Sequence, residues 1–297
     1  MSDHDLLIAP RPDDPRLTRA LTGLDHEGRR QEIRVVEERP LTIFLNSQEI
    51  VTAMTIGDHP EHLAVGYLLN QNMLRRDDRV AAVEFDEELE TVVVRTERET
   101  DYEAKLQKKI RTSGCAVGTV YGDMMEALDQ VRLPGPEEGA EIRASWLYAL
   151  AKRINTEPSL YLEAGAIHGC VLCARDRALV YMEDVGRHNA VDKIAGWMFA
   201  TGESAGDKLF YTTGRLTSEM VVKTAMMGIP TLVSRSGCTA SGVEIARRVG
   251  LTLIGRMRGK RFVCLSGEER LVLDADPAAV ADEPARARRK GAEPDAP

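Results

Sequence analysis

The chain has no uninterrupted apolar run near the roughly 18 residues that a membrane span requires. Its opening stretch, "MSDHDLLIAPRPDDPR", has neither a basic start nor an apolar core, so no export signal is read there and a cytoplasmic location is expected. Positive charge is not in excess. Lys and Arg number 39 against 47 Asp and Glu, a net charge of −8, which argues against a coat that binds nucleic acid by neutralising phosphates. Cysteine is scarce as well: Cys115, Cys170, Cys173, Cys238 and Cys264 make an odd count in 297 residues. A disulfide framework is therefore not expected, and each thiol is core, metal ligand or nucleophile. There is no repeat at solenoid or propeller periods. Neither GxGxxG after a strand nor GxxxxGK[ST] occurs, so any nucleotide must be held by another arrangement.

What is present is the composition of a soluble globular protein, 43% hydrophobic and 29% charged, long enough for one large domain or two smaller ones. Residues 1–30 are polar and carry three prolines, and residues 274–297 are rich in Ala, Pro, Asp, Glu and Arg; both are expected to be disordered tails. Residues 31–132 form an expected small α+β domain. Two β-rich runs flank Asn46-Ser47, Pro60 opens the amphipathic "PEHLAVGYLLNQNML", and "VAAVEFDEELETVVVRTE" predicts a hairpin. Cys115 and a helix over 122–131 follow. The two prolines and two glycines of "LPGPEEGAEI" mark a linker, and residues 133–273 comprise it and an α/β domain. After a helix over 144–155, strands are expected at 166–174, 178–182, 208–212, 231–234 and 251–254, with helices at 189–200, 218–227 and 241–249. That alternation predicts a mostly parallel sheet covered on both faces.

Ligands collect where strands end and helices begin in such sheets, because free N–H groups and the helix dipole favour an anion there. Those junctions carry Gly186-Arg187-His188, Gly214-Arg215 and Arg235-Ser236-Gly237. The segment Arg256, Met257, Arg258, Gly259, Lys260, Arg261 adds four cations in six residues. Alone it reads as a solvated turn; with the three junction arginines it points to a shared phosphate-bearing ligand, since guanidinium forks match phosphate bidentately. Ser241 and Glu244 have capping-box spacing and are read as structural. Glu183-Asp184 are acid/base candidates or turn-bonding residues, and His168 and His188 are as readily core histidines as functional ones.

Cys170-Val171-Leu172-Cys173 falls on a predicted strand, where residues three apart face opposite sides and cannot share a metal. No second cysteine pair exists, and His168-Gly169-Cys170 lacks the glutamate and the later P-C-x-x-C of a zinc deaminase. No metal site is expected. Cys264 alternates like a core strand residue, and Cys238 precedes a helix whose dipole would lower its pKa. Cys115 stands apart in "SGCAVG": small neighbours leave the sulfur accessible, and Lys108, Lys109 and Arg111 favour the reactive thiolate.

The segments "EDVGRHNAVDKIAG", "TTGRLTSEMVVKTAMMGIPTLVSRSG" and "GLTLIGRMRGKRF", in this order after "RTSGC", resemble the FdhD family of sulfurtransferases needed for formate dehydrogenase activity. The resemblance runs from about Arg34 to Arg270. It implies a cytidine-deaminase-like three-layer α/β domain preceded by a smaller α+β domain, in a homodimer. It also implies that a cysteine desulfurase loads Cys115 as a persulfide. The sulfur then passes to the molybdenum or tungsten bis(guanine dinucleotide) cofactor, the bound substrate, on its way to apo formate dehydrogenase. Arg256 to Arg261 match the family's segment for that cofactor, and no intrinsic metal, membrane or nucleic acid is implied. Two positions depart from the pattern: Gly118 stands where the family often has a second cysteine, and Arg256 where an aromatic is usual. The loss of that cysteine keeps a cofactor chaperone that moves no sulfur as the alternative. A nucleotide hydrolase or deaminase rests on fold analogy alone.

Overall fold

The computed structural model describes residues 6–98, 125 and 127–277. Cys115, most of the helix expected over 122–131, and the stretch from 278 onward lie outside them. The N-terminal segment differs from the tail expected through residue 30. Ile8 bridges in parallel to Val180, and Leu17 packs with Ile56, Leu160 and Ile167. Strands β1 (Thr18–Leu24) and β2 (Arg30–Val36) then form an antiparallel ribbon. Composition misjudged this stretch because only a few residues such as Leu17 are buried as anchors, while the ribbon itself is exposed on both faces.

β3 (Arg39–Leu45), β4 (Gln48–Thr55), β5 (Val80–Asp86) and β6 (Thr91–Thr96) form a four-stranded sheet ordered β4-β3-β6-β5. Strand alternation sends Leu41, Ile43 and Leu45 of β3 and Val92 and Val94 of β6 inward against Leu63, Ala64 and Leu68 of helix α1 (Pro60–Asn70). Asn46 turns β3 into β4 with φ 56°, a left-handed conformation asparagine tolerates.

The larger sheet holds six strands: β8 (His168–Ala174), β9 (Arg177–Asp184), β10 (Lys208–Thr212), β11 (Thr231–Ser234), β12 (Thr252–Arg258) and β13 (Arg261–Ser266), ordered β13-β12-β11-β10-β8-β9. Helix α2 (Ala144–Thr156) covers one face through Leu147, Leu150, Ala151 and Ile154. Helices α4 (Arg187–Thr201), α5 (Ser218–Met226) and α6 (Ala240–Val249) pack on the other. The short helix α3 (Leu160–Glu163) lies between α2 and β8 in the chain. The expectation of a mostly parallel sheet is corrected: only β10–β11 and β11–β12 run parallel, and β8–β9, β8–β10 and β12–β13 are antiparallel. The cause is local, because Arg175 at φ 56° and Gly259 at φ 56° turn the chain in tight hairpins where a crossover helix would be needed for parallel pairing.

The expected linker is tied down. A short strand β7 (Ile142–Arg143) pairs in parallel with β14 (Leu271–Val272), and the buried Arg270 guanidinium donates to Pro134 O and Gly250 O.

The first sheet meets the larger one through α1 and α4, which cross with almost no space between them. An ideal Cβ at Gly66 would lie 1.7 Å from Asp192 O, and one at Gly196 would lie 2.0 Å from His62 O. Only glycine permits this approach. No described helix is long and apolar enough to cross a membrane.

Candidate functional site

The carboxyl ends of β9, β10, β11 and β12 share one edge of the large sheet, and α4, α5 and α6 begin there. Short turns set each junction. Gly214 N donates to Thr212 Oγ1 (3.1 Å), Ser234 Oγ to Gly214 O (2.6 Å), and Ser236 N to Ser234 Oγ (2.9 Å). Leu216 N donates to Gly237 O (2.9 Å) and Arg256 N to Ser236 O (2.8 Å). The loops after β10 and β11 and the end of β12 are thus laced into one ledge, and the Thr239 hydroxyl caps α6 by accepting from Gly242 N.

On this ledge Arg187, Arg215 and Arg256 reach the surface, Arg187 half-buried and the other two exposed. The Arg187 side chain lies across Gly214, whose Cβ would stand 3.2 Å from it, so Gly214 is covered and serves the packing of Arg187. Arg235 is held: its Nη1 donates to Asn155 Oδ1 (2.9 Å) and its guanidinium sits over the Tyr161 ring, 5.3 Å from the centroid. Among the first turns of the three helices only α5 carries an acid, Glu219. A ledge with several arginines and three helix N-termini favours an anion.

Two expectations for the basic segment are corrected. Residues 256–258 belong to strand β12, and only Gly259 and Lys260 turn the hairpin. Arg256 sits at a bulge with φ 55°, which throws Arg256 and Arg258 outward and Met257 into the core beside α2, fully buried. Met257 is therefore closed to any ligand, and Arg258, Lys260 and Arg261 ride on a hairpin tip beyond the ledge.

His188 is also buried, with Nε2 3.3 Å from Glu219 Oε2, and burial next to Lys223 and Arg187 brings its pKa down to about 2. It is a neutral imidazole. His168 shifts down for the same reason, with Arg187 and Arg215 close by. Cys170 and Cys173 are buried in opposite faces of β8, and burial drives the Cys170 thiol up to about 12. Cys238 was expected to have a lowered pKa; burial beneath Gly255 raises it, with Arg256 only partly opposing. Burial likewise pushes Cys264 up to about 11. None of these four is an activated nucleophile. The proposed nucleophile, Cys115, lies outside the described residues, as does its distance to the ledge. Among the described residues no group of three or more His, Cys, Asp or Glu is placed to hold a metal.

The motif Glu183 to Lys193 does something its sequence did not disclose. Glu183 accepts from the N–H groups of Leu160 and Tyr161 (both 2.8 Å) and so caps α3. Asp184 accepts from Thr55 Oγ1 (2.5 Å), Gly186 N and Asn189 Nδ2, and Asn189 also donates to Met54 O. Lys193, fully buried, meets Asp184 (2.6 Å) and Asp58 (2.5 Å). Burial pulls its pKa down, but the two carboxylates outweigh that and the net shift is up. Asp192 accepts from Asn70 (2.7 Å) and Lys223 (2.7 Å). Thr55, Asp58 and Asn70 belong to the first unit, so the motif is chiefly the clamp that holds that unit on the α/β domain.

The FdhD/NarQ family profile matches residues 36–272, and the chain belongs to that family. The sulfur carrier protein FdhD of Listeria monocytogenes serotype 4b (strain F2365) is 30% identical over 243 residues, covering 81% of this chain and 92% of the relative. That of Bacillus subtilis (strain 168) is 30% identical over 247 residues, covering 81% and 91%. A crystal structure described as a formate dehydrogenase accessory protein, from Desulfotalea psychrophila, superimposes with a TM-score of 0.68 at 26% identity. It covers 86% of this chain and 98% of that one. The fold shared with it is mixed α/β.

Proposed function

We propose that the protein is a sulfurtransferase, a cytoplasmic carrier that accepts sulfane sulfur on Cys115 and supplies it for maturation of a formate dehydrogenase. The observation that carries this reading is the pairing of family membership, in which the relatives bear the name sulfur carrier protein, with a cysteine set among small residues in the sequence "SGCAVG". In the loading step the Cys115 thiolate attacks the outer sulfur of a cysteine desulfurase's persulfide. A new S–S bond forms at Cys115, the old one breaks, and the desulfurase leaves as a thiolate, with no net redox change. A single cysteine suffices for this, so Gly118 in place of a second thiol does not forbid it.

The receiving substrate in this reading is the molybdenum or tungsten bis(guanine dinucleotide) cofactor. Arg187 and Arg215 near the N-termini of α4 and α5, with Arg256 on the β12 bulge, would take its phosphates, and Arg258, Lys260 and Arg261 on the hairpin tip would extend that contact. His188 and Gly214 lie beneath the ledge and support it. Apo formate dehydrogenase is the final acceptor, and the working form is a homodimer. Cys115→Ala is expected to abolish formate dehydrogenase maturation with circular dichroism and melting unchanged; normal maturation would refute the assignment. Gly118 favours a second reading, a chaperone that hands over the cofactor without moving sulfur, and in that reading the same variant retains activity.

A further inference from the structure

The ribbon β1–β2 has no support along its length. All residues from Arg19 to Arg34 in the two strands are exposed, including Leu21 (47%), Leu24 (71%) and Ile33 (47%). Its root is firm: Leu17 is buried, and Arg34 donates to Glu163 Oε2 (2.8 Å), Pro12 O (3.0 Å) and Thr18 Oγ1 (2.7 Å). Its turn is ordered too, Asp25 Oδ1 accepting from the N–H groups of Glu27 and Arg29 (both 2.9 Å). A two-stranded hairpin exposed on both faces is marginal by itself in water, and its open edges are templates for another strand.

We infer that the outer edge of β2 is the seam on which a second copy of this chain pairs, antiparallel about a two-fold axis at Ile33. The charge pattern selects the occupant. Full overlap of β2 with its own copy sets Ile33 opposite the partner's Ile33 and Arg30 opposite the partner's Val36. Glu32 then falls opposite the partner's Arg34, and Arg34 opposite the partner's Glu32. Opposite charges meet twice, each Arg34 being already pinned by Glu163. Because Leu21 pairs with Ile33 within one ribbon, the same register lines up Leu21, Ile33 and their two symmetry mates in one apolar stripe across four strands. A slip that centres the axis on Glu32 sets Glu32 against the partner's Glu32 and Arg30 against the partner's Arg34. Centring it on Arg34 opposes the two arginines. Like charges reject both slips, and slips centred on Gln31 or Val35 overlap only three residues of each β2 and lose the Ile33–Ile33 contact, so full overlap is the favoured register.

The seam bears on the ledge through the ribbon's root. Arg34 holds Glu163 at the end of α3, and Tyr161 of α3 carries Arg235. The seam is thus joined, through contacts present in one chain, to the support of a ledge arginine. The inference locates the interface of the dimer proposed above and does not depend on sulfur transfer.

The test uses the full chain at micromolar concentration in sedimentation equilibrium. The wild type is expected to be dimeric. Ile33→Asp, an exposed position, is expected to be monomeric with unchanged melting, and Glu32→Arg to weaken the dimer at least roughly tenfold, because two attractive pairs become repulsive. Ile33→Cys is expected to give a covalent dimer linked at position 33 on mild oxidation, read by peptide mapping against the native cysteines, whereas Leu24→Cys is not. A monomeric wild type would overturn both the dimer and its seam. A dimer that survives Ile33→Asp, or that links through position 24 and not 33, would overturn the seam alone.

Discussion

Replacing Gly66 or Gly196 by alanine separates two effects of opposite sign. In an unhindered helix interior the change favours folding by about 1 kcal/mol, because alanine is the better helix former. Here the new methyl would stand 1.7 Å from Asp192 O or 2.0 Å from His62 O, both backbone atoms in the facing helix. Ordinary contact between heavy atoms is ~3.5 Å, so α1 and α4 must move apart by roughly 1.5 Å. That shift stretches Asn70–Asp192 (2.7 Å) and Lys193–Asp58 (2.5 Å), and leaves a fully buried ammonium and a fully buried carboxylate poorly matched. Overpacking costs about 1–3 kcal/mol and weakening a buried pair about 3–5 kcal/mol, so a net loss of about 3–5 kcal/mol is expected after relaxation. Equilibrium urea unfolding followed by tryptophan fluorescence measures it. With a slope of about 3 kcal/mol/M the midpoint falls by about 1–1.7 M. An unchanged or raised midpoint in both variants would show that the helices do not cross as closely as described, and the reasoning would fail.

Glu183 is a second handle. Burial raises its pKa from 4.5 to about 7, so the native state holds a proton there that the unfolded state has released; its contribution is full below pH 4.5 and is lost as pH rises through 7. Stability measured from pH 5 to 8 is expected to fall more steeply in the wild type than in Glu183→Gln, and parallel curves would contradict this. His188, with a pKa near 2, is expected to show no imidazole titration by NMR between pH 5 and 8; a midpoint in that range would mean that it is not buried as described. The ledge arginines should divide by role. Arg235→Ala, which loses Asn155 and the Tyr161 face, is expected to cost about 1–2 kcal/mol of stability. Exposed Arg215→Ala is expected to stay within about 0.5 kcal/mol while weakening binding of guanosine diphosphate about tenfold. Calorimetry and thermal melts decide, and equal effects on both readouts would remove the distinction.

Much of the α/β domain was legible because β10 and β11 are short apolar runs bounded by turn residues, and their limits fall where the pattern put them. The Gly–Arg junctions were legible for the same reason: a strand end, a turn and a helix start each leave a local mark. The sheet's direction was not. Strand identity is written in period-two alternation, but direction depends on turn length, and the tight turns at Arg175 and Gly259 were outweighed by the impression of repeating βα units. Met257 shows a related failure, since the exposed–buried–exposed order of Arg256, Met257 and Arg258 is a strand alternation that charge density obscured. The clamp was invisible in principle. Asp58 and Lys193 lie 135 residues apart, and no local pattern pairs them.

The central claim is that Cys115 carries sulfur, and mass spectrometry of the intact protein tests it after incubation with a cysteine desulfurase and cysteine. The account predicts an added mass of one sulfur atom, removed by a reducing thiol and mapped to the peptide holding Cys115. An unmodified protein, or sulfur found only on another cysteine, would contradict it.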